Sequence, residues 1–435
     1  MKRKLSETRP GLVRLPGRFL RYAIWALLMS GPASSVSVAD EVSEWNKVML
    51  QATLAAPAVP APAAIRVAAI VQAAVFDAVN GIDRDYMPLY VRPGASAAAS
   101  KRAAAVQAAY VTLVKLFPNQ KATLDEQRAA SLAAITDGSN AIEQGVSWGQ
   151  NVADQIWAWR SQDGFSNVLP PYLGGTEPGQ WRPTPPALAP GLAPQLATAT
   201  PWVIPSPSRF RTQGPAALTT DQYTADFNEV KRMGSVTNSA RTAEQTMYAR
   251  FWQAGHPPDN FDQVITSLAE QHQFPMTQTA WLLALVNIAM ADAAIGCYDA
   301  KYQYSFWRPV TAIQLADSDG NEATTPDSGW TPLIVTPPHP EYPSGHSCAT
   351  AAATRILSQV FGEETSFSVP STAMPGVTRK FYSFYAALEE VKNARILGGI
   401  HFRTACVDGA ALGYAVADYV AEHAMLPLEN RRRGR

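Results

Sequence analysis

Basic residues and histidines occur together in three short segments of the C-terminal half of the chain. The first segment places Lys301 seven residues before Arg308. The second is Pro343-Ser344-Gly345-His346, and the third places Arg395 six residues before His401. A tetrahedral oxyanion needs positive charge and several N–H donors, and a histidine beside it can attack or ligate the central atom or transfer a proton. The segments therefore predict a site for a multiply charged oxyanion.

The second segment also has the composition of a helix start. Ser344 is a good N-cap and Gly345 lets backbone N–H groups approach a ligand, so this helix N-terminus would bind an anion. In the third segment, Gly398-Gly399 would break the helix that holds Arg395, and His401 would begin a new one. On its own, a Lys/Arg pair usually lies on a solvated helix face, and a Ser-Gly-His sequence usually caps a helix. Only the combination indicates one shared ligand.

The three segments, in this order, resemble the three-part signature of the superfamily of type 2 phosphatidic acid phosphatases and vanadium-dependent haloperoxidases. The first reads Lys-x6-Arg-Pro and ends at Pro309, and the signature covers residues 301–401. Upstream, Glu44-Trp45-Asn46, Phe76-Asp77-Ala78-Val79-Asn80 and the loop 202–210 are similar to the exported bacterial haloperoxidase-like branch. The resemblance implies an all-α fold with a helical bundle core and long proline-rich loops.

The resemblance also implies a role for each residue. His401 would be the axial ligand of vanadium or the nucleophile towards phosphorus, and His346 the acid–base group near the apical oxygen. One site serves both because bound vanadate is trigonal bipyramidal, like the transition state of phosphoryl transfer. The implied vanadate- or phosphate-binding set is Lys301, Arg308, Ser344, Gly345, His346, Arg395 and His401. The implied catalytic set is His346, His401, Lys301 and His339.

Two positions depart from the family pattern. The residue before Arg395 is Ala394 where the family often has serine, and Ala405 stands where an aspartate often orients the last histidine. Asp408, two helical turns beyond His401, cannot readily reach that ring. We therefore expect another group, such as a backbone carbonyl, to fix the histidine tautomer.

Residues beside the anion site favour halide oxidation over phosphate-ester cleavage. His339, five residues before Ser344, resembles the bromoperoxidase pattern on the halide side; otherwise it is a loop histidine held by prolines. Phe306 and Trp307 could enclose a small, dry cavity, which suits halide better than a phosphomonoester. We expect a vanadate-dependent haloperoxidase-like enzyme that oxidises halide with hydrogen peroxide, bromide or iodide in preference to chloride.

Two alternatives remain open. An exported acid phosphatase would need no cofactor and would hydrolyse a phosphomonoester through a phosphohistidine at His401, with His346 protonating the leaving alcohol. A protein that has lost catalysis could still hold phosphate or vanadate. The motifs do not specify the halide, the organic acceptor or the oligomeric state.

The three cysteines have two interpretations. Cys348 and Cys406 each follow a motif histidine, in the first turns of helices that should flank the anion, and could form a disulfide. Alternatively, both are buried thiols. Cys297 is expected to be a buried small apolar residue.

Several other titratable residues lie near the motifs. Asp292 and Asp299, seven residues apart on the helix that leads to Lys301, could pair with the motif cations or serve as cap and surface charges. Glu341, just before the second motif, has the same two interpretations. His256 is a loop residue that could face the pocket.

The pattern of elements gives the organisation of the chain. Apolar residues recur at helical spacing through most of it, and twelve prolines interrupt this pattern between Pro170 and Pro215. Because the interruption contains Trp181 and Trp202, we expect an ordered loop over a helical core rather than a solvated linker. The predicted regions are a signal peptide at 1–39, a helical region at 40–275 with a proline-rich loop at 163–216, a catalytic region at 276–428 and a basic tail at 429–435.

Composition excludes several classes of protein. The formal net charge is zero, which argues against a nucleic-acid partner, and three cysteines are too few for a disulfide-rich scaffold. The basic N-terminus, a short apolar core at Tyr22–Met29 and Ser37-Val38-Ala39 predict export to the periplasm or the medium. We expect no membrane span in the mature chain, because Ala280–Ala291 is flanked by polar residues and suits a buried helix.

Overall fold

The computed structural model describes residues 40–56, 59–371 and 374–428. Within these ranges there are thirteen α-helices and one antiparallel pair of short strands, which confirms the all-α prediction. The predicted signal peptide and basic tail lie outside the described residues. The predicted boundary between residues 275 and 276 falls where a helix begins, at Met276, and stays a prediction.

The helices before that point are α1 (Glu41–Ala55), α2 (Ala61–Asp83), α3 (Lys101–Leu116), α4 (Lys121–Ala133), α5 (Ser139–Arg160), α6 (Asp221–Gly234), α7 (Ala243–Ala254) and α8 (Pro257–Gln271). The elements after it are α9 (Met276–Tyr304), α10 (Pro309–Gln314), α11 (Gly345–Phe361), β1 (Phe367–Pro370), β2 (Thr378–Phe381), α12 (Phe384–Leu397) and α13 (Arg403–His423). In the strand pair, Phe367 lies opposite Phe381.

Helices α2 and α9 pack against each other in the core. Both are apolar around most of their circumference, which is the pattern of a buried helix. By length and composition either could cross a membrane, but 89% and 94% of their most apolar windows are buried inside the structure. The burial of Ala280–Ala291 agrees with the sequence-based prediction.

Helix α13 packs closely on α11, which carries the second motif. Two glycines of α13 allow this approach. A Cβ atom at Gly413 would lie 2.2 Å from the Cys348 carbonyl oxygen, and one at Gly409 would lie 2.8 Å from that of Ser344. Contacts this short exclude any side chain, so the two glycines let α13 lie directly against the first turns of α11.

The proline-rich segment 163–216 is ordered and covers the loops that carry the motifs. The Trp181 N–H donates to the Ser305 carbonyl at 2.6 Å, and the Leu192 N–H to that of Pro338, also at 2.6 Å. Trp181 is fully buried and Trp202 is 8% exposed. The segment is therefore a packed cover that braces the loops before Arg308 and His339, as expected, and not a solvated linker.

Candidate active site

Five elements bring the motif residues together. Lys301 lies in the last turn of α9, Arg308 is the residue before α10, and Arg395 lies in the last turn of α12. Ser344 caps α11, with its side chain accepting from the Ser347 N–H. His401 lies in the turn between α12 and α13, because Gly399, at a φ of +75°, ends the preceding helix. The break that Gly398-Gly399 predicted is confirmed.

Lys301 is fully buried and is held by the loop before α11. Its Nζ donates to the carbonyl oxygens of Pro340 at 2.9 Å, Glu341 at 3.0 Å and Pro343. Burial lowers the pKa of Lys301 to about 8. The Lys301 methylene next to Nζ lies 3.9 Å from where a Cβ of Gly345 would stand, so its charge lies beside the N-terminus of α11.

Arg308 is fully buried and contacts both His339, in the loop before the second segment, and His401 of the third segment. Its Nε donates to the His339 carbonyl at 2.8 Å, and one terminal amino group approaches His339 Nδ1 at 2.9 Å. The other donates to the Ile400 carbonyl at 2.7 Å and approaches His401 Nε2 at 3.3 Å. Burial lowers the pKa of Arg308 to about 10, within a range where it stays charged at neutral pH.

Arg395 is also fully buried, but most of its donors are unpaired. One terminal nitrogen donates to Gln253 Oε1 at 2.8 Å, whereas Nε and the other terminal nitrogen have no partner among the described residues. A buried N–H without an acceptor costs about 1–3 kcal/mol. These unpaired donors, next to two further buried cations, suit an oxyanion ligand.

His401 is held by the carboxylate of Glu341, a residue for which the sequence allowed two interpretations. Glu341 Oε1 lies 2.8 Å from His401 Nδ1 and also accepts from the Phe402 N–H at 3.0 Å. The expectation that a group other than Asp408 holds this ring is confirmed. That group is the carboxylate of Glu341, fully buried in the loop that faces the start of α13, rather than a backbone carbonyl. Asp408 binds the Tyr342 hydroxyl at 2.6 Å instead, in agreement with the prediction that it cannot reach His401.

Burial and nearby cations set the charge of the histidines. The pKa of His401 lies well below its ordinary value because the ring is buried and Arg308 adds positive charge. The pKa of His346, on the first turn of α11, is lowered by burial and by Arg395. Burial raises the pKa of Glu341 to about 8, against the opposing effect of Arg308 and Lys301. The lowered pKa values leave the imidazoles of His401 and His346 neutral at neutral pH.

His339, predicted on the halide side, lies apart from Phe306 and Trp307, which were predicted to enclose a small, dry cavity. His339 is 9% exposed and its ring lies 5.6 Å from that of Tyr298. Phe306 packs edge-on against Tyr223 and near Phe402, with Trp307 fully buried in the same apolar cluster. Phe306 and Trp307 thus support the site from the core.

The predicted disulfide is absent. All three cysteines are free and buried, and Cys297 is buried as predicted. Cys348 lies beside Cys297, whose thiol donates to the Pro343 carbonyl at 3.6 Å, and Cys406 lies beside the side chains of Ser344 and Ser347. Because each thiol has a different neighbour, the Cys348–Cys406 pairing is corrected. Burial raises the pKa of Cys406 to about 12, as in an unreactive thiol.

The other acidic residues do not contact the motif cations. Asp292 accepts from three backbone N–H groups, those of residues 202–204, at 2.7–2.9 Å. Asp299 pairs with Arg211 at 2.6 Å. His256 Nδ1 lies 3.1 Å from Asp259.

Gln253, the hydrogen-bond partner of Arg395, was not predicted from the sequence, because a lone glutamine on a distant helix carries no sequence signal.

The structure is a helical bundle around a buried, cation-rich cluster, and comparisons with known proteins show which class it resembles. A family model described as the second helical-bundle domain of vanadium chloroperoxidase matches residues 281–430. A curated relative, the vanadium chloroperoxidase of Curvularia inaequalis, is 22% identical over 73% of this chain and 65% of that protein. The chain thus spans less than two thirds of this relative's length.

Solved structures match over most of the chain. The crystal structure of a bacterial vanadium-dependent iodoperoxidase has a TM-score of 0.75 and 25% identity, covering 89% of this chain and 96% of that one. A bacterial vanadium-dependent chloroperoxidase in its apo form has the same fold, with a TM-score of 0.69 at 19% identity over 86% of this chain and 96% of that one. The chain therefore resembles the vanadium haloperoxidases in fold over most of its length, and in family pattern over residues 281–430.

Proposed function

We propose that the protein is a vanadate-dependent haloperoxidase that oxidises a halide with hydrogen peroxide. The observation that carries this proposal is the set of three fully buried cations, Lys301, Arg308 and Arg395, beside a neutral histidine. Buried charges need compensation, and Arg395 keeps donors that the protein does not satisfy. A multiply charged oxyanion with oxygens on several sides provides both the charge and the acceptors.

The residues fit vanadate. His401 Nε2 would hold vanadium, and Arg308, Arg395 and Lys301 would neutralise the charge on the oxygens. The Ser344 hydroxyl and the N–H of Gly345, at the start of α11, would add hydrogen bonds. When bound, vanadate supplies Lewis-acid activation of hydrogen peroxide without changing its oxidation state.

His346 is the group that would move protons. It lies on the first turn of α11, near the buried cations, and part of its surface stays accessible. Its lowered pKa keeps the imidazole neutral, so that it can accept a proton from hydrogen peroxide and return it to the leaving oxygen.

His339 would serve the halide. A terminal nitrogen of Arg308 lies 2.9 Å from His339 Nδ1, which also lies 3.1 Å from the Pro340 carbonyl oxygen. A histidine beside a buried arginine would suit a large, weakly hydrated anion. We propose iodide or bromide as the substrate in preference to chloride, and the resemblance to a bacterial iodoperoxidase is consistent with this choice.

An acid phosphatase is the second candidate. The observation in its favour is the Glu341–His401 contact at 2.8 Å, because a carboxylate on the far nitrogen of a histidine also activates it as a nucleophile. In this case phosphate would be the group of the substrate that the cations bind.

One set of assays separates the candidates. Purified protein is tested for peroxide-dependent oxidation of iodide, bromide and chloride, before and after orthovanadate is added, with phosphate as competitor. Vanadate-dependent oxidation that phosphate suppresses is the expected result. Phosphomonoester hydrolysis that vanadate inhibits, without halide oxidation, would instead establish the phosphatase. Binding of either anion with no turnover would indicate a protein without catalysis.

We also propose that the protein is exported, on the strength of its N-terminal sequence alone. Mass spectrometry of the N-terminus of protein recovered from the periplasm or the medium tests this. A chain that begins at Asp40 is expected, and an uncleaved chain in the cytoplasm would contradict export.

A further inference from the structure

Glu341 connects the second and third motifs through a single oxygen. The side chain is fully buried, and Oε1 accepts from the Phe402 N–H at 3.0 Å while it lies 2.8 Å from His401 Nδ1. Phe402 is the residue that precedes α13. One carboxylate oxygen therefore fixes both the imidazole ring and the backbone beside it.

The backbone of Glu341 is held as firmly as its side chain. Its N–H donates to the Phe306 carbonyl at 2.9 Å, and its own carbonyl accepts from Lys301 Nζ at 3.0 Å. Both flanking elements belong to the first motif. The carboxylate is therefore placed before any ligand binds, which is the condition for a supporting residue to aim a ligand group accurately.

Hydrogen bonds at both ends of the ring give the same tautomer. A guanidinium has no acceptor, so His401 Nε2, 3.3 Å from a terminal nitrogen of Arg308, must be the acceptor. The other end agrees, because Glu341 Oε1 already accepts from the Phe402 N–H and is an acceptor for Nδ1–H as well. The lone pair of Nε2 then lies on the side of the buried cations.

Neighbouring carboxylates are engaged elsewhere. Asp408, on α13, binds the Tyr342 hydroxyl, and Asp226, on α6, accepts from the Thr404 N–H at 2.9 Å. Among the described residues, Glu341 is the one acidic side chain that contacts the His401 ring.

We infer that Glu341 is a positioning residue, which holds His401 as the Nδ1–H tautomer and directs Nε2 to the oxyanion. It takes the place of the aspartate that related proteins often carry four residues after this histidine, where Ala405 stands here. The consequence for vanadate affinity rests on the proposed function, whereas the tautomer and the hydrogen bond do not.

The test uses the whole protein without added vanadate. Proton–nitrogen NMR should show a downfield, slowly exchanging Nδ1–H of His401, assigned by its loss in His401→Gln. Glu341→Ala should abolish this resonance, and Glu341→Gln, whose amide oxygen can still accept, should keep it. Asp408→Asn is the matched control, because it removes a nearby carboxylate that does not contact the ring, and it should also keep the resonance.

Orthovanadate titration by calorimetry gives the second readout. Glu341→Ala should weaken binding about 10–100-fold, the usual loss when the hydrogen-bond partner of a metal-binding histidine is removed. Glu341→Gln should lose less, and Asp408→Asn should bind as the wild type does. Thermal unfolding of each variant shows whether it is folded.

The outcomes are separable. The inference is overturned if the resonance is missing in the wild type or persists in Glu341→Ala, or if Glu341→Ala binds vanadate as tightly as the wild type. If Glu341→Ala does not fold, the wild type and Glu341→Gln still decide the hydrogen bond. If the wild type shows the resonance but binds no vanadate, the proposed function fails and the positioning role stands.

Discussion

Helix α9 carries two buried charged residues nine positions apart, Asp292 and Lys301, and the regions around them use buried charge in opposite ways. Around Asp292 the protein supplies the partners. Both carboxylate oxygens accept backbone N–H groups of residues 202–204. Nearby Arg160 lies 4.1 Å from the Trp202 ring and donates to Asp163 and two carbonyls, and its Nε alone lacks a partner among the described residues.

Around Lys301 the protein leaves charge and donors uncompensated. Two nitrogens of Arg395 and Oε2 of Glu341 are buried without partners among the described residues. The net charge of Lys301, Arg308, Arg395 and Glu341 is positive whether or not Glu341 is protonated. Buried charge in the first region stabilises a loop, whereas buried charge in the second is suited to the oxyanion proposed above. The two regions should therefore respond to substitution with opposite signs.

The largest effect is expected from His401→Ala. Because His401 would be the one covalent ligand, vanadate-dependent halide oxidation should fall at least ~10³-fold, as when the reacting group of other enzymes is removed. The initial rate with iodide and peroxide measures this. His423→Ala is the control, because that exposed histidine bonds only the Tyr419 carbonyl and should leave the rate unchanged. A rate retained in His401→Ala would contradict the assigned ligand.

Arg395→Met tests the second region directly. Removing an oxyanion donor typically costs about 10²–10³-fold in rate, and a similar loss of halide oxidation is expected here. In the absence of anion, however, the variant should be at least as stable as the wild type, because an unpaired buried charge disappears. Arg160→Met should have the opposite effects: it should lower the stability of the protein and leave its vanadate affinity nearly unchanged. If Arg395→Met and Arg160→Met destabilise the protein equally, the two regions do not use buried charge differently.

Asp292→Ala should act on stability and hardly on anion binding. The change leaves three N–H groups of residues 202–204 without their acceptor, and the expected cost is about 3 kcal/mol of unfolding free energy. Urea denaturation measures it. Asp77→Ala is a matched comparison, because Asp77 accepts from the N–H groups of residues 89–91 in the same way. If Asp292→Ala loses more vanadate affinity than its lower stability can explain, Asp292 belongs to the site.

The sequence predicted which motif residues come together better than it predicted the contacts around them, and the reason is physical. An oxyanion site needs particular residue types at fixed distances along helix ends, so Lys301, Arg308, Ser344 and His401 could be recognised from spacing. The supporting contacts come from residues far apart in sequence, such as Gln253 on α7 with Arg395. Spacing carries no information about these contacts.

The fold shows the same limit. Helices follow from local periodicity, and the break at Gly398-Gly399 follows from residue type. The absent Cys348–Cys406 bond does not, because both cysteines lie on adjoining helices and only packing decides which neighbour each thiol meets. Glu341 was one of several acidic candidates, and its contact with His401 depends on how the loop before α11 is pinned by Lys301.

The smallest effect concerns pH. Burial raises the pKa of Asp292 to about 6, from an ordinary value near 3.8, so the folded protein binds this proton more tightly than the unfolded chain does. The contribution of Asp292 to stability should therefore fall as pH rises from about 4 to 6, by about 2 kcal/mol. Denaturation of the wild type and Asp292→Asn at several pH values isolates this contribution as their difference. Asp77→Asn should behave alike, because burial raises the pKa of Asp77 to about 6 as well. A difference that is flat or rises with pH would mean that the three N–H bonds outweigh burial and that the Asp292 carboxylate is fully ionised in the folded state.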